Sequence, residues 1–197
     1  MKVNLLITVK PNNKFMNRII FTLLVGLALL GTTNSAHAQS NVVKLNLFSP
    51  IVKTVSVFYE NAFAENKSAQ LGFFYTGTSI GDTKFTGFGI TPELRFYLGS
   101  TAAPEGFFVA PFIRYQNFDL TEEITDSKAT LSNIGGGLLI GKQWLFKEKI
   151  ALDAFIGPSY VSGSVKVETS GTDEGVFETG VLDGFGVRAG LAIGIAF

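Results

Sequence analysis

Few residues of this sequence have side chains suited to a catalytic site. Cysteine is absent, and the only histidine is His37. Nucleophilic serine and cysteine normally need a histidine partner, so these pairs are excluded for the chain beyond residue 38. Carboxylate chemistry stays formally open through Glu60, Glu93 and Asp153. We predict a protein that is not an enzyme, with no catalytic residue, no cofactor and no metal ligand.

The remaining candidates are charged residues at alternate positions within apolar segments. They comprise four basic and three acidic residues, namely Lys44, Glu60, Glu93, Arg95, Arg114, Asp153 and Arg188. Charges that are held away from water need partners of opposite sign. We therefore interpret this set as a structural ladder of ion pairs rather than as a set of acid–base catalysts.

Glycine-rich and acidic stretches give weaker signals. Residues 135–141 and 184–190 both have the spacing G-x-G-x-x-x-G, which differs from the G-x-G-x-x-G of dinucleotide sites, and neither opens a helical pattern. Acidic residues cluster within 119–126 and 168–178, without the spacing of a calcium-binding EF-hand. These stretches favour small-residue strands and solvated loop charges over ligand sites.

The N-terminal part has the pattern of a secretory signal peptide. Three basic residues, Lys10, Lys14 and Arg18, precede an apolar run at residues 19–30. The small residues Ala36 and Ala38 then form a cleavage site before Gln39. The alternative is an uncleaved anchor helix, but the run is short beside the roughly 20 residues that span a bilayer. The predicted organisation is a cleaved signal peptide at 1–38, exported by a Sec-type route, and one domain at 39–197.

Cleavage after residue 38 changes the charge of the chain. The removed segment contains four basic residues and no acidic one, which leaves 12 basic and 16 acidic residues. Proteins that bind nucleic acids usually present a basic face, so such a partner is not expected. Translation from Met1 and translation from Met16 both fit this organisation.

Beyond residue 40, apolar and polar or small residues alternate with the period of a β-strand. Eight segments follow this pattern, at about 42–49, 53–61, 67–76, 85–98, 106–118, 129–144, 148–163 and 183–197. In the last of them, Leu191, Ile193 and Ile195 alternate with Gly190 and Gly194. The chain is therefore predicted to be all-β and antiparallel.

Two closed architectures use such strands in opposite orientations. A soluble lipocalin-like barrel turns its bulky face inward around a ligand, whereas a membrane barrel turns that face toward lipid. The glycine-rich face would be a poor solvent-exposed surface, but it suits a narrow interior that also holds charges. The prediction is an eight-stranded up-and-down transmembrane β-barrel with a plugged polar interior. The predicted interior also contains phenylalanines, namely Phe58, Phe74, Phe108, Phe112 and Phe155.

The connections between the segments fit this orientation, because outer-membrane barrels have short periplasmic turns and longer external loops. Long polar connections are predicted at 76–84, 119–128 and 163–182, while the first external loop, near Pro50, is short. Five aromatic residues near segment ends are candidates for interfacial girdles, namely Phe48, Tyr97, Phe118, Trp144 and Tyr160.

Several stretches together resemble the small eight-stranded outer-membrane barrels of the OmpA/OmpX-like superfamily, and most of all their uncharacterised domain-of-unknown-function members. The stretches are NVVKLNLFSP, GFGITPELRFYLG, FFVAPFIRYQNF, GGGLLIGKQWLF, ALDAFIGPSYVSG and the terminal AGLAIGIAF. The resemblance implies a Gram-negative outer-membrane location, contact with lipid and lipopolysaccharide, and Phe197 as the signal that the barrel-assembly machinery recognises. The resemblance gives location and fold, and our leading functional hypothesis is a structural or surface-interaction role, with the extracellular loops as the binding surface for an unknown ligand. A narrow pore or solute transporter and a secreted lipocalin-like binder remain alternatives.

Overall fold

The computed structural model describes residues 40–80, 83–122, 127–168, 175–177 and 184–197. The predicted signal peptide and its cleavage residues Ala36, Ala38 and Gln39 lie outside the described residues. Within the described part of the chain, no helix has the length and hydrophobicity that spanning a bilayer requires.

Nine β-strands and one short 3-10 helix make up the described structure. The strands are β1 (Asn41–Asn46), β2 (Thr54–Ala64), β3 (Lys67–Ile80), β4 (Thr83–Leu98), β5 (Gly106–Glu122), β6 (Ser127–Phe146), β7 (Ile150–Glu168), β8 (Gly175–Phe177) and β9 (Gly184–Ala196). The 3-10 helix, Ser49–Val52, has Pro50 in its first turn, where the missing amide hydrogen costs nothing.

Eight of these strands close into a barrel. Each of β1 to β7 pairs antiparallel with the next strand, and β9 pairs with both β7 and β1. Closure joins the first strand to the last, and the β1–β9 ladder that does so runs from the Val42–Ala196 pair to the Asn46–Ala192 pair. The three-residue strand β8 pairs only with the far end of β7. The predicted all-β, antiparallel, up-and-down barrel is confirmed.

Side chains alternate between the two faces of the wall as predicted. Bulky apolar side chains point outward, and Phe107, Ile113 and Ile140 are each 59% exposed. Arg188 points inward and is 8% exposed, while its outward neighbour Val187 is 74% exposed. The bulky face is therefore the outer surface, and the glycine-rich, charge-bearing face lines the lumen.

The inward glycines make room for phenylalanine rings on the neighbouring strand. A Cβ atom built at Gly89, Gly141 or Gly190 would overlap the ring of its cross-strand partner. The partners are Phe74, Phe108 and Phe155 respectively. Pairing a large ring with a residue that lacks a side chain lets an eight-stranded lumen fill without strain.

The strands extend further than predicted at the end away from the termini. The proposed loop at 76–84 is a hairpin whose strands β3 and β4 stay paired up to Ile80 and Thr83. Likewise β5 and β6 pair up to Glu122 and Ser127, and β7 continues to Glu168. Backbone pairing does not require an apolar face, so the ladders continue through polar residues where the alternating pattern stops.

Two of the five predicted girdle residues, Tyr97 and Phe118, point into the lumen instead of outward. Tyr97 is 4% exposed and contacts the interior charges, and Phe118 packs against Phe74 and Phe85 inside the barrel. Their positions in the alternation are inward ones, and this outweighs their nearness to strand ends. By contrast, Phe48 and Tyr160 are exposed on the outside.

Candidate functional site

The lumen contains one connected cluster of ion pairs in the half that is nearer Asn41 and Phe197, called the terminus-side half below. At its centre the Lys44 ammonium lies 2.6 Å from a Glu60 carboxylate oxygen and 2.8 Å from one of Asp153. Its third donor is 2.6 Å from the Gln143 amide oxygen. Because all three donor positions of this fully buried ammonium have acceptors, the charge is satisfied without water.

Arg95 joins a third carboxylate, that of Glu93, to this centre. Its guanidinium lies 2.9 Å from Asp153, 3.4 Å from Glu60 and 2.7 Å from Glu93. The same guanidinium stacks 4.1 Å from the centroid of the Phe108 ring. Arg95 thus contacts every acidic member of the predicted ladder.

Arg188 extends the cluster away from the termini. Its Nη1 atom lies 3.2 Å from Glu93, and its guanidinium lies 4.5 Å from the Phe112 ring centroid. Its Nη2 atom is buried and has no hydrogen-bond partner among the residues that the structure describes. Lys44, Arg95 and Arg188 together match the three carboxylates in charge.

Arg114 is the one predicted ladder residue outside this cluster. Its Nε atom donates a hydrogen bond to the Thr91 hydroxyl at 3.0 Å. Among residues with described side chains, no carboxylate forms an ion pair with it. The cluster therefore leaves one positive charge of the ladder uncompensated.

Uncharged polar residues that were not among the sequence candidates complete the cluster. Ser68 and Tyr97 donate hydrogen bonds to the same Glu60 oxygen at 2.5 Å and 2.6 Å. Gln143 accepts from Lys44 and donates to the Pro104 carbonyl oxygen at 2.6 Å. The alternating pattern predicts that these side chains point inward. It does not predict the stagger between strands that places them next to Glu60.

The turn between β4 and β5 covers the terminus-side end of the cluster. The backbone amide of Ala103 bonds to the Glu65 carbonyl of the neighbouring turn at 2.7 Å. Ala103 also packs against the buried aromatic cluster, and the adjacent Pro104 is buried. This turn and the ion cluster together close the lumen at that end.

The other half of the lumen is not completely filled by the described side chains. A cavity of about 640 Å³ extends from the level of Arg188 toward the hairpin ends of the barrel. Arg114, Arg188, Thr91 and Gln116 contribute polar groups to its wall, and no aspartate or glutamate is among the described residues that line it. Six phenylalanines also line it, namely Phe58, Phe73, Phe74, Phe85, Phe112 and Phe118, as does Phe155 nearer its floor.

The chemistry available to the cluster is electrostatic rather than catalytic. Its carboxylates are each held by cations, and a general acid or base needs a reacting group within hydrogen-bond reach. Glu60 and Asp153 are sealed from solvent, so a substrate has no access to them. In the described part of the chain, no group of three or more acidic or histidine residues is arranged to hold a metal ion.

Comparisons with solved structures find similar chains from two bacteria. The N-terminal β-barrel domain of OprF from Pseudomonas aeruginosa aligns with a TM-score of 0.42 at 14% identity, covering 81% of this chain and 98% of that domain. A major outer membrane protein from Thermus thermophilus aligns with a TM-score of 0.43 at 14% identity, covering 80% of this chain and 98% of that one. No curated protein matches the sequence. A family model described as a protein of unknown function, DUF3575, matches residues 22–171, so the chain belongs to the DUF3575 family.

Proposed function

We propose that this protein is a non-enzymatic integral β-barrel of the Gram-negative outer membrane, with a structural or surface-interaction role. The observation that carries the proposal is the distribution of side chains across the wall. Leucine, isoleucine, valine and aromatic side chains cover the outside, while Lys44, Arg95 and Asp153 are buried in the lumen. Monomeric soluble proteins seldom expose apolar surface on this scale, whereas lipid requires it.

The orientation in the membrane follows from the connections. The termini and the turns at 64–67, 98–106 and 146–150 lie at one end, and the long hairpins lie at the other. In outer-membrane barrels the short turns are periplasmic. On this basis the hairpins are extracellular, where they contact lipopolysaccharide and form the binding surface for a partner.

Biogenesis supplies two further parts of the proposal. Residues 1–38 act as a Sec-type signal peptide, and Phe197 acts as the recognition residue for the barrel-assembly machinery. Support for Phe197 comes from its place beside the closing seam, since its backbone exchanges hydrogen bonds with Asn41 of β1 at 2.9 Å and 3.1 Å. Phe197 therefore lies next to the β1–β9 pair, which closes the barrel.

A conductance measurement separates this proposal from a pore. The ion cluster and the β4–β5 turn obstruct the terminus-side half of the lumen, so purified protein in a planar bilayer is expected to give no steady channels. Cell fractionation with heat-modifiable gel migration tests the location and the barrel together. Steady large conductance would support the pore instead, and a protein that stays monomeric in detergent-free buffer after removal of residues 1–38 would support the lipocalin-like binder.

A further inference from the structure

The cavity in the other half of the lumen has the size and lining of a ligand site. Its volume of about 640 Å³ lies within the roughly 300–1,000 Å³ that is typical of small-molecule pockets. The cavity extends toward the hairpin end of the barrel, and the ion cluster and the β4–β5 turn close the lumen on the other side. The cavity is therefore a blind pocket rather than a passage.

The charge of the pocket favours an anion. Its described lining contains two arginines and no carboxylate. Among the described residues, Arg188 forms an ion pair with Glu93, whereas Arg114 donates a hydrogen bond to the Thr91 hydroxyl and forms no ion pair. A cation that is partly removed from water and has no counter-ion attracts one from solution.

A second observation at the floor of the pocket points the same way. Arg188 is more than nine-tenths buried, it lines the cavity, and none of the described residues supplies an acceptor to its Nη2 atom. Buried donors are nearly always satisfied, and an exception calls for a missing partner. The Arg188 guanidinium therefore has hydrogen-bonding capacity that the described residues leave unused.

The remaining lining residues indicate which uncharged groups a ligand would contact. Phe58, Phe74 and Phe118 form part of the wall, together with the hydroxyls of Thr76 and Ser56. Guanidinium groups bind planar carboxylates through paired charge-assisted hydrogen bonds, and phenylalanine rings bind flat apolar groups. We propose that this pocket binds a small amphiphilic carboxylate, with its anionic group at Arg114 and Arg188 and its aromatic or alkyl body among the phenylalanines.

This inference rests on the proposed function only for the side from which the ligand arrives. The probes are sodium 2-naphthoate and its uncharged counterpart 2-naphthamide, titrated by calorimetry into the barrel purified from membranes and placed in phosphatidylcholine nanodiscs. The naphthoate is expected to bind, and the naphthamide is expected to bind at least about tenfold more weakly because it lacks the charge.

Variants locate the site. Arg114→Gln is expected to weaken naphthoate binding by about tenfold or more, the loss expected for one charge-assisted hydrogen bond. Arg114 lies outside the ion cluster, so this variant retains the pairs that hold the barrel together. The matched control is Lys53→Gln, which removes an exposed cation at the same end of the barrel but outside the pocket lining, and which is expected to bind as the wild type does.

Each alternative result has a defined meaning. Absence of naphthoate binding, equal affinity for naphthamide, or equal loss in Lys53→Gln and Arg114→Gln would overturn the inference. Heat-modifiable migration of the same nanodisc sample shows independently that the barrel is inserted, so failure of the pocket and failure of the membrane assignment are distinguishable. Replacing phosphatidylcholine by phosphatidylglycerol tests the source of the anion, because competition by the lipid headgroup would assign the pocket to lipid instead of a soluble acid.

Discussion

The ring of Phe155 occupies the space that a side chain at Gly190 would fill. The two residues are direct partners in the β7–β9 ladder, and a Cβ atom at Gly190 would overlap the ring. Phe155 in turn lies edge-on to Phe58 and within 5.0 Å of the Arg188 guanidinium. The bare face of β9 is thus the surface against which the aromatic layer of the lumen packs.

This relationship predicts that Gly190→Ala destabilises the barrel. Overpacking a filled core costs about 1–3 kcal/mol, and the rings around Gly190 have little room to move. The matched control is Gly186→Ala on the same strand and face, where the added Cβ atom would lie 3.4 Å from the Ser159 hydroxyl. Urea unfolding of protein refolded into lipid vesicles measures both variants. Equal stability of the two would show that the Phe155–Gly190 contact does not constrain the fold.

Glu60→Gln tests the ion cluster. The Glu60 carboxylate accepts hydrogen bonds from Lys44, Ser68 and Tyr97 and is fully buried. Removing one charge of a buried network leaves its partners uncompensated, which costs about 3–5 kcal/mol. The exposed Glu65→Gln, in the adjacent turn, is the control and is expected to unfold at the wild-type urea concentration. A Glu60→Gln protein as stable as this control would show that the cluster is dispensable.

The alternating pattern determines which features of the ion cluster could be predicted from the sequence. Inward or outward placement follows from residue parity along each strand, so the seven charges and the phenylalanines could be assigned to the lumen from the sequence alone. Their pairing depends on the stagger between strands, and this stagger brings Lys44 beside Asp153, far along the chain. The cavity could not be predicted for the same reason. The sequence indicates which side chains point into the lumen, but it does not give the position of each one along the barrel axis.

Substitutions on the outer face should show a dependence on depth. Ile140 lies well inside the apolar surface, whereas Phe146 is the last residue of β6 beside a turn. A lysine at the bilayer midplane costs about 2–4 kcal/mol, and near the interface only about 0–1 kcal/mol. Ile140→Lys is therefore expected to unfold at a lower urea concentration than Phe146→Lys in vesicles. Equal effects at the two positions would argue against a lipid-embedded wall.

Deletion of Phe197 should impair assembly in cells more than folding in vitro. The proposed recognition acts during biogenesis, while the deletion removes only the two backbone hydrogen bonds to Asn41 and leaves the residue pairs of the β1–β9 ladder. The fraction of heat-modifiable protein in isolated membranes should fall, while refolding in detergent should stay close to that of the wild type. Phe197→Tyr keeps an aromatic terminus and serves as the control. If the deletion left the fraction of heat-modifiable protein in membranes unchanged, the role of Phe197 in assembly would be contradicted.

The environment of the outer face can be measured directly at two consecutive residues of β5. Ile113 points outward and Phe112 inward at nearly the same depth, and Trp144 is the only tryptophan of the chain. In a Trp144→Phe background, Ile113→Trp and Phe112→Trp each place one fluorophore on one side of the wall. In vesicles of phosphatidylcholine brominated on its acyl chains, the account predicts strong quenching of the Ile113→Trp emission and little quenching of the Phe112→Trp emission. Equal quenching, or quenching of Phe112→Trp alone, would contradict a barrel whose bulky face meets hydrocarbon.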